Sequence, residues 1–232
     1  MMIRQLVREV WVAIRGTIAL VVVVSVGYTA VVTVVGQLAF NSQANGSLLT
    51  APNGETVGSS LIGQCFYKTT TAGTITSYLT TKDDQGHSIF AIDPRYFQSR
   101  PSFTVDSAGK PLPCNAANSS ASNLGPTNPA LISRIKGYTD YLHAMGIAKN
   151  ADGTNAAMPI DLVTGDFSGF DPDISEAAAL AQVNMVAAAR HVPAGTLERL
   201  VISKVQGRAL GIFGSPHVNV LDLNRALSSP GS

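Results

Sequence analysis

The residue types that could do chemistry in this chain do not fall into the spacings that catalytic sites require. The sequence around Ser168, GDFSGFD, misses the G-x-S-x-G pattern of a hydrolase nucleophile by one position. A phosphate-binding loop needs G-x-x-x-x-G-K-[ST], but the one Gly-Lys pair, at Gly109, is followed by proline. Three later glycines also miss the dinucleotide pattern G-x-G-x-x-G: Gly207, Gly211 and Gly214. We therefore predict no catalytic residue.

The acidic and histidine side chains do not predict a metal site either. The histidines are scattered along the chain, at His87, His143, His191 and His217, without the paired spacing of a zinc site. Aspartates crowd one stretch of the chain, at Asp161, Asp166, Asp171 and Asp173. A calcium loop places its ligands at alternating positions around a turn glycine, and this spacing does not reproduce that pattern. We predict turn and helix-cap roles for these aspartates, because Asp is favoured at such positions.

Bulk composition excludes one class of partner. The formal net charge is +1, and no basic patch with interleaved aromatic residues occurs, so nucleic acid is not an expected partner. The two cysteines, Cys65 and Cys114, are compatible with a disulfide in an oxidising compartment. They are equally compatible with two buried free thiols, because cysteine is among the most buried residue types.

One apolar run predicts that the chain crosses a membrane, and the charges around it predict the orientation. No charge occurs from Gly16 to Gly36, and about 20 apolar residues in a helix span a bilayer core. Three arginines precede the run, at Arg4, Arg8 and Arg15, and the first charge after it is Glu55. Basic residues stay on the cytoplasmic side, so the N-terminus is predicted to be cytoplasmic. A cleaved signal peptide is the alternative, but its apolar core would be only about 7 to 15 residues long.

The predicted architecture is a single N-terminal transmembrane helix plus one mixed α+β extracytoplasmic domain. Its parts are a cytoplasmic stub at 1–15, the transmembrane helix at 16–36 and the extracytoplasmic domain at 37–232. Within that domain, the polar and Thr-rich segment 68–94 is expected to form a surface excursion or hairpin.

Two helices of the domain have clear end signals. Asn128 and Pro129 mark the start of the first, whose apolar residues recur at helical spacing until Gly146. The second is predicted over 171–190, with Asp173 and Glu176 as a capping box. A shorter helix is expected around 197–203.

Strands and loops are expected in the rest of the domain. GSSLIGQCFY, from Gly58, predicts a strand with turns, and HVNVLDL, from His217, alternates apolar and polar residues like a strand. A terminal helical turn is expected at 224–227. The stretch 104–127 is rich in Ser, Asn, Pro and Ala and predicts a long loop.

Two sets of residues are candidates for contact with a partner. Directly after the apolar run, Gln43, Asn45 and Gly46 lie in a polar stretch whose Asn-Gly pair favours a turn with positive φ. Amides just outside a bilayer can hydrogen-bond to a neighbour's loops, although a polar linker is the alternative. Within the run, a second set recurs every four residues: Ser25, Thr29 and Thr33. Small residues at that spacing let another helix approach in lipid, unless their hydroxyls bond to carbonyls of the preceding turn.

Several short blocks of the sequence resemble one family. QANGSL at 43–48 is similar to the motif that follows the membrane helix in the C subunit of the bacterial Kdp potassium-transporting P-type ATPase. Other blocks resemble that family in the same order: GSSLIGQCF, YFQSRPS, SNLGPTNPAL, PIDLVTGDFSGFDPDIS, VAAAR and VNVLDLN. Segment 68–94 matches no block.

The resemblance implies a non-catalytic accessory subunit of a high-affinity, ATP-driven potassium uptake pump in the bacterial cell (inner) membrane. Its partners would be membrane lipid and the Kdp A, B and F subunits, with potassium and ATP handled by those subunits and no cofactor of its own. The family is also described as raising the affinity of the B subunit for ATP, which would here act through subunit packing. The alternative from the residues alone is a membrane-anchored extracytoplasmic binding module unrelated to transport, while an anchored hydrolase is disfavoured by the motifs.

Overall fold

The structure is a computed structural model that describes residues 2–51, 53–72, 75–83 and 85–228. The chain divides into two compact units, an N-terminal unit at Met1–Val57 and a C-terminal domain at Gly58–Ser232. Parts of the predicted stub, excursion and domain lie outside the described residues: Met1, Pro52, Gly73, Thr74, Asp84 and 229–232.

One continuous helical stretch makes up most of the N-terminal unit. Helix α1 covers Met2–Val21, a π-helical segment covers Val22–Tyr28, and helix α2 covers Thr29–Ala39. The whole stretch, Met2–Ala39, is long and apolar enough to cross a membrane, and its most apolar part is not buried in the protein. The predicted helix is therefore present, but it begins before Gly16 and ends after Gly36. The reason is local, because 2–15 contains no Pro or Gly that would end a helix.

The N-terminal unit continues with short elements after this helix. The backbone leaves the helical range at Phe40, with φ −135° and ψ 41°. A single helical turn, α3, follows at Asn41–Ala44, and strand β1 at Leu48–Thr50 pairs with strand β2 at Thr56–Ser59. The strand predicted from Gly58 is thus displaced, because β2 ends at Ser59 and a turn follows it.

Segment 68–94 folds as two hairpins. Strand β3 at Thr69–Ala72 pairs antiparallel with β4 at Ile75–Tyr78, and β5 at Thr80–Lys82 pairs antiparallel with β6 at Ser88–Phe90. The base of these hairpins reaches the core of the domain, because Ile92 is fully buried there.

Helices and one further strand pair build the rest of the C-terminal domain. Their bounds are α4 Pro129–Ala144, a 3₁₀ turn Ile160–Leu162, β7 Asp173–Ile174, α5 Glu176–Ala181, α6 Val183–Arg190, α7 Ala194–Lys204, β8 Val218–Asn219 and α8 Val220–Leu227. Helix α7 packs against α5, α6 and α8, and β7 pairs antiparallel with β8. The largest fully buried apolar side chains are Phe97, Ile92, Leu142, Ile147, Leu223, Val186, Val201, Val218 and Val220. The predicted mixed α+β class is confirmed.

Helix α4 begins and ends where its local signals predict. The Asn128 side chain accepts a hydrogen bond from the Ala130 N–H at 2.9 Å, directly before Pro129. Gly146, with φ +86°, follows the last helical turn. Helix α7 likewise contains the predicted 197–203.

The predicted capping box at Asp173 is wrong. Asp173 lies in the extended strand β7, opposite Asn219, and its side chain does not cap the helix. The helix starts later, and Ser175 is its N-cap, accepting a hydrogen bond from the Ala178 N–H at 3.2 Å. The predicted single helix is also divided in two at Gln182.

The strand predicted over HVNVLDL is also mostly wrong. Only Val218 and Asn219 are extended, and helix α8 begins at Val220. Asn219 caps this helix by accepting a hydrogen bond from the Asp222 N–H at 3.1 Å. The short alternation near its start was a weak signal, because the buried residues of α8 recur at helical spacing. These buried residues are Val220, Leu221, Leu223, Asn224 and Leu227.

Two buried side-chain amides hold the backbone of Phe97 and Gln98. The Asn224 Oδ1 accepts from the Phe97 N–H at 2.9 Å, and its Nδ2 donates to the Phe97 carbonyl at 2.9 Å. The Gln182 Oε1 accepts from the Gln98 N–H at 2.7 Å, and its Nε2 donates to the Gln98 carbonyl at 3.2 Å. Buried backbone groups need such partners, so the amides replace a neighbouring strand at this point.

The two cysteines, whose state the sequence left open, form a disulfide between Cys65 and Cys114, which lie 49 positions apart in the chain. The bond joins the segment before the hairpins to the long loop before α4. Cross-linking segments this far apart lowers the entropy of the unfolded chain, which stabilises the folded domain by roughly 4 kcal/mol in the chain-entropy description.

Candidate functional site: a surface for subunit contact

The predicted contact residues Ser25, Thr29 and Thr33, which we call the hydroxyl face, lie on the exposed apolar helix. Ser25 is inside the π-helical segment, and Thr29 and Thr33 are in α2. All three are exposed. None of the three hydroxyls makes a hydrogen bond with a described residue, in contrast to Thr139, whose hydroxyl donates to the Ile135 carbonyl of its own helix at 2.7 Å. The hydroxyls are therefore available to a neighbour in this conformation.

The π-helical segment changes the geometry of that face. A π-helix is wider than an α-helix and closes i→i+5 hydrogen bonds, and such segments are frequent at functional sites. Thr29 and Thr33 keep the four-residue offset of an α-helix. Ser25 lies one turn earlier, within the π-helical segment, so its angular offset from Thr29 differs from that between the two threonines.

Gly36 does not belong to the same open face. A side chain placed on Gly36 would lie 3.8 Å from the Cβ of Ala44 in α3. That distance is ordinary van der Waals contact, so α3 packs against the helix at Gly36 without requiring a glycine there.

A polar collar follows the helix, and we define it as Gln37 together with 41–47. The Gln37 Oε1 accepts from the side-chain amides of Asn41 and Asn45, both at 3.0 Å. The Asn45 amide also donates to the Asn41 carbonyl at 2.7 Å. These bonds fold the chain back on the end of the helix. Sequence reasoning missed Gln37, although an amide directly after an apolar run was a signal for it.

Two of the predicted contact residues in the collar, Asn45 and Gln43, differ in the hydrogen bonds that their side chains make. Asn45 is occupied by bonds within the chain, whereas the Gln43 side chain is exposed and makes no hydrogen bond with a described residue. The positive φ angles fall at Gly46, with +87°, and at Ser47, with +49°, while Asn45 has φ −104°. The expected turn is present, shifted by one residue, so Gln43 is the collar amide left to meet a partner.

The clustered aspartates organise turns, as predicted, except for Asp173. Asp166 accepts hydrogen bonds from the N–H groups of Gly169 and Asp171, and from the Ser168 hydroxyl. Asp161 accepts from the Ser175 N–H at 2.7 Å. Among the described residues, no group of three or more His, Cys, Asp or Glu side chains is placed to hold a metal ion.

The C-terminal domain also has an exposed apolar loop that sequence reasoning did not single out. The loop at 209–213 is closed by a bridge between Ala209 and Phe213. Leu210, Ile212 and Phe213 expose 90%, 69% and 62% of their surface. Large apolar side chains grouped at one exposed loop are typical of an interaction surface.

By length and composition, the exposed helix could span a membrane. A chain with one such helix, a polar collar and a compact α+β domain fits the class of single-span membrane proteins. The family model described as "KdpC: K+-transporting ATPase, c chain" matches residues 10–229. The chain therefore belongs to the KdpC family, and it is a subunit of a potassium-transporting ATPase with a role in the Kdp potassium uptake complex. This finding contradicts the alternative of a binding module unrelated to transport.

Named relatives agree with this family over nearly their full length. A protein of Paraburkholderia phytofirmans is 43% identical over 208 residues, which is 90% of this chain and 90% of the relative. One of Bradyrhizobium diazoefficiens is 41% identical over 228 residues, covering 96% and 97%. One of Burkholderia mallei is 42% identical over 212 residues, covering 91% of each. Each is named "Potassium-transporting ATPase KdpC subunit".

Proposed function

We propose that this chain is a non-catalytic accessory subunit that supports assembly of the Kdp pump and its import of potassium. It contacts the A, B and F subunits and needs no cofactor of its own. The observation that supports this most is the exposed apolar helix at Met2–Ala39. Lipid or another helix must cover such a surface, and its hydroxyl face and small residues suit a helix.

The polar collar is the second part of the proposed interface. Gln43 offers an amide donor and acceptor immediately after the membrane helix, and the turn at Gly46 fixes where that amide lies. A subunit whose own loop supplies the matching groups would be held in register with the helix contact.

Replacing Gly46 by valine is expected to reduce recovery of the assembled complex several-fold. A β-branched residue at φ +87° costs about 1 to 3 kcal/mol, so the turn rearranges and displaces Gln43. The measurement is the amount of complex that co-purifies with this subunit, together with potassium uptake.

Gly54 provides a matched control. It has φ +85° and nothing within 4 Å of an added Cβ, so Gly54→Val introduces the same strain outside the collar. Equal recovery of both variants and the unchanged chain would mean that the collar is only a linker.

We also propose that the N-terminus is cytoplasmic and the C-terminal domain extracytoplasmic. The arginines before the helix support this orientation, as does the disulfide between Cys65 and Cys114, since disulfides persist in oxidising compartments. An alkaline phosphatase fused after Ser232 is then expected to be active, and β-galactosidase at the same position inactive. Active β-galactosidase there would contradict the orientation.

An effect of this subunit on ATP binding by the B subunit would follow from packing between subunits. In the proposed orientation, only the short stretch before the membrane faces the compartment that holds ATP. Any coupling is then a difference in how tightly the chain packs on the nucleotide-bound and nucleotide-free pump. The fusion experiment bears on this proposal too, because a cytoplasmic C-terminal domain would permit direct contact with ATP.

A further inference from the structure

A cavity of about 380 Å³ lies in the C-terminal domain between β6, α4 and the loop that contains 101–105. Its volume falls within the range of small-molecule pockets. Roughly a dozen molecules of liquid water would occupy the same volume. Most of its wall is apolar or aromatic: Ile89, Phe90, Phe103, Leu124 and Val163.

One arginine faces this apolar wall without an anionic partner. The Arg134 guanidinium carbon lies 4.1 Å from the centre of the Phe103 ring. Arg134 is half-buried and makes no ion pair or hydrogen bond with a described residue. Burial lowers the pKa of its guanidinium, but arginine stays charged in proteins.

Other arginines near the core have polar partners. Arg95 pairs with Asp93 at 2.6 Å, and Arg190 donates to two backbone carbonyls. Arg100 donates to the Thr164 hydroxyl at 3.2 Å, although its Nε is buried without a partner. Arg134 is only half-buried, so its guanidinium keeps contact with water and is open to an anionic ligand that enters the cavity.

An acidic side chain that lies against α4 at Gly137, that of Asp83, already has hydrogen-bond partners. Asp83 accepts from the His87 ring at 2.9 Å and from the N–H groups of Gln85 and His87. Burial opposes its ionisation, but these hydrogen bonds outweigh burial and keep the pKa of Asp83 below its usual value. Both carboxylate oxygens of Asp83 therefore already accept hydrogen bonds from Gln85 or His87.

Two tyrosines on the cavity wall remain neutral. Burial of the hydroxyl raises the pKa of Tyr67 to about 12, and burial raises the pKa of Tyr138 as well. Among the residues that line the wall, Arg134 supplies the permanent positive charge, His87 lies beside Asp83, and the two phenols are neutral near physiological pH.

We propose that this cavity binds a small monocarboxylate with a compact apolar or aromatic body. The planar guanidinium of Arg134 matches the fork of a carboxylate, and the body of the ligand contacts the aromatic wall. The site does not depend on the proposed accessory function. Strand β6 contributes Ile89 and Phe90 to the wall.

Benzoate and its neutral counterpart benzamide test the charge requirement. With the full chain in an uncharged detergent, ligand-observed NMR is expected to show benzoate binding about tenfold tighter than benzamide or more, as for hydrogen bonds to a charged group. Arg134→Gln is expected to remove that preference. Arg199→Gln is the matched control, because Arg199 is exposed and donates only to the Thr196 hydroxyl, at 3.4 Å; it should bind benzoate like the unchanged chain.

A second variant tests the cavity itself. Leu124→Trp keeps Arg134 but fills part of the space, and it is expected to weaken benzoate binding about tenfold. The proposal is overturned if the unchanged chain does not bind benzoate, if it binds benzamide equally well, or if Arg199→Gln loses binding as Arg134→Gln does. The first two outcomes need no variant, so the test holds even if a substitution prevents folding.

Discussion

Replacing Gln182 by leucine is expected to destabilise the C-terminal domain by about 3 to 5 kcal/mol, because it leaves buried backbone groups without partners. Gln182 is fully buried and satisfies both backbone groups of Gln98. It also donates to the Ala178 carbonyl at 3.1 Å. Leucine has a similar size, so the loss reflects hydrogen bonding more than packing.

The measurement is thermal unfolding of the full chain in detergent. For a domain of this size, each kcal/mol shifts the midpoint by about 2 to 4 °C, so a decrease of about 10 °C is expected. Gln206→Leu is the control, since Gln206 is exposed and its side chain makes no hydrogen bond with a described residue. A midpoint for Gln182→Leu within about 2 °C of the unchanged chain would mean that the amide contributes little.

The second large effect is expected in assembly. Replacing Ser25, Thr29 and Thr33 together by leucine keeps the helix apolar but makes its small face bulky. Hydrogen bonds between helices in membranes average about 0.6 kcal/mol each. Three of them amount to about 2 kcal/mol, or roughly a 20-fold change in affinity, before any steric effect. The variant should insert normally, co-purify poorly with the other subunits and support less growth at limiting potassium.

A triple alanine variant at the same positions separates size from hydrogen bonding. Alanine keeps the face small but removes the hydroxyls, so it should retain more complex than the leucine variant. The proposed helix contact is wrong if the leucine variant gives the same inserted protein, complex yield and growth as the unchanged chain. In that case the face contacts lipid, and the C-terminal domain alone holds the subunit in place.

Interactions between near neighbours in the chain were predictable from the sequence. The absence of charges identified the apolar helix that could span a membrane, although not its full length. Asn128 and Pro129 located the start of α4, and Gly146 its end. These α4 signals depend on residues within a few positions of each other, and local conformational preferences decide such features before the chain is packed. The ordered sequence blocks, spread along the chain, identified the family.

The same reasoning predicted the candidate site only in part. The polar stretch and the turn near Gly46 were evident from composition. The division of roles between Asn45 and Gln43 was not, because it depends on where Gln37 points after the chain reverses. Arg134 has no local signal at all, since its setting is made by Phe103 and the hairpin strand β6.

Tertiary structure decided the features that join distant parts of the chain. Asp173 could cap a helix by local preference, but pairing with Asn219 holds it in a strand and moves the cap to Ser175. Gln182 bonds to a residue 84 positions away, and Asn224 to one 127 positions away. The physical reason is that a buried polar group must find a partner wherever packing places one. The sequence by itself therefore determined the apolar helix that could span a membrane, the family and the two ends of α4, whereas packing decided the disulfide, the buried amide bonds and the shape of the cavity.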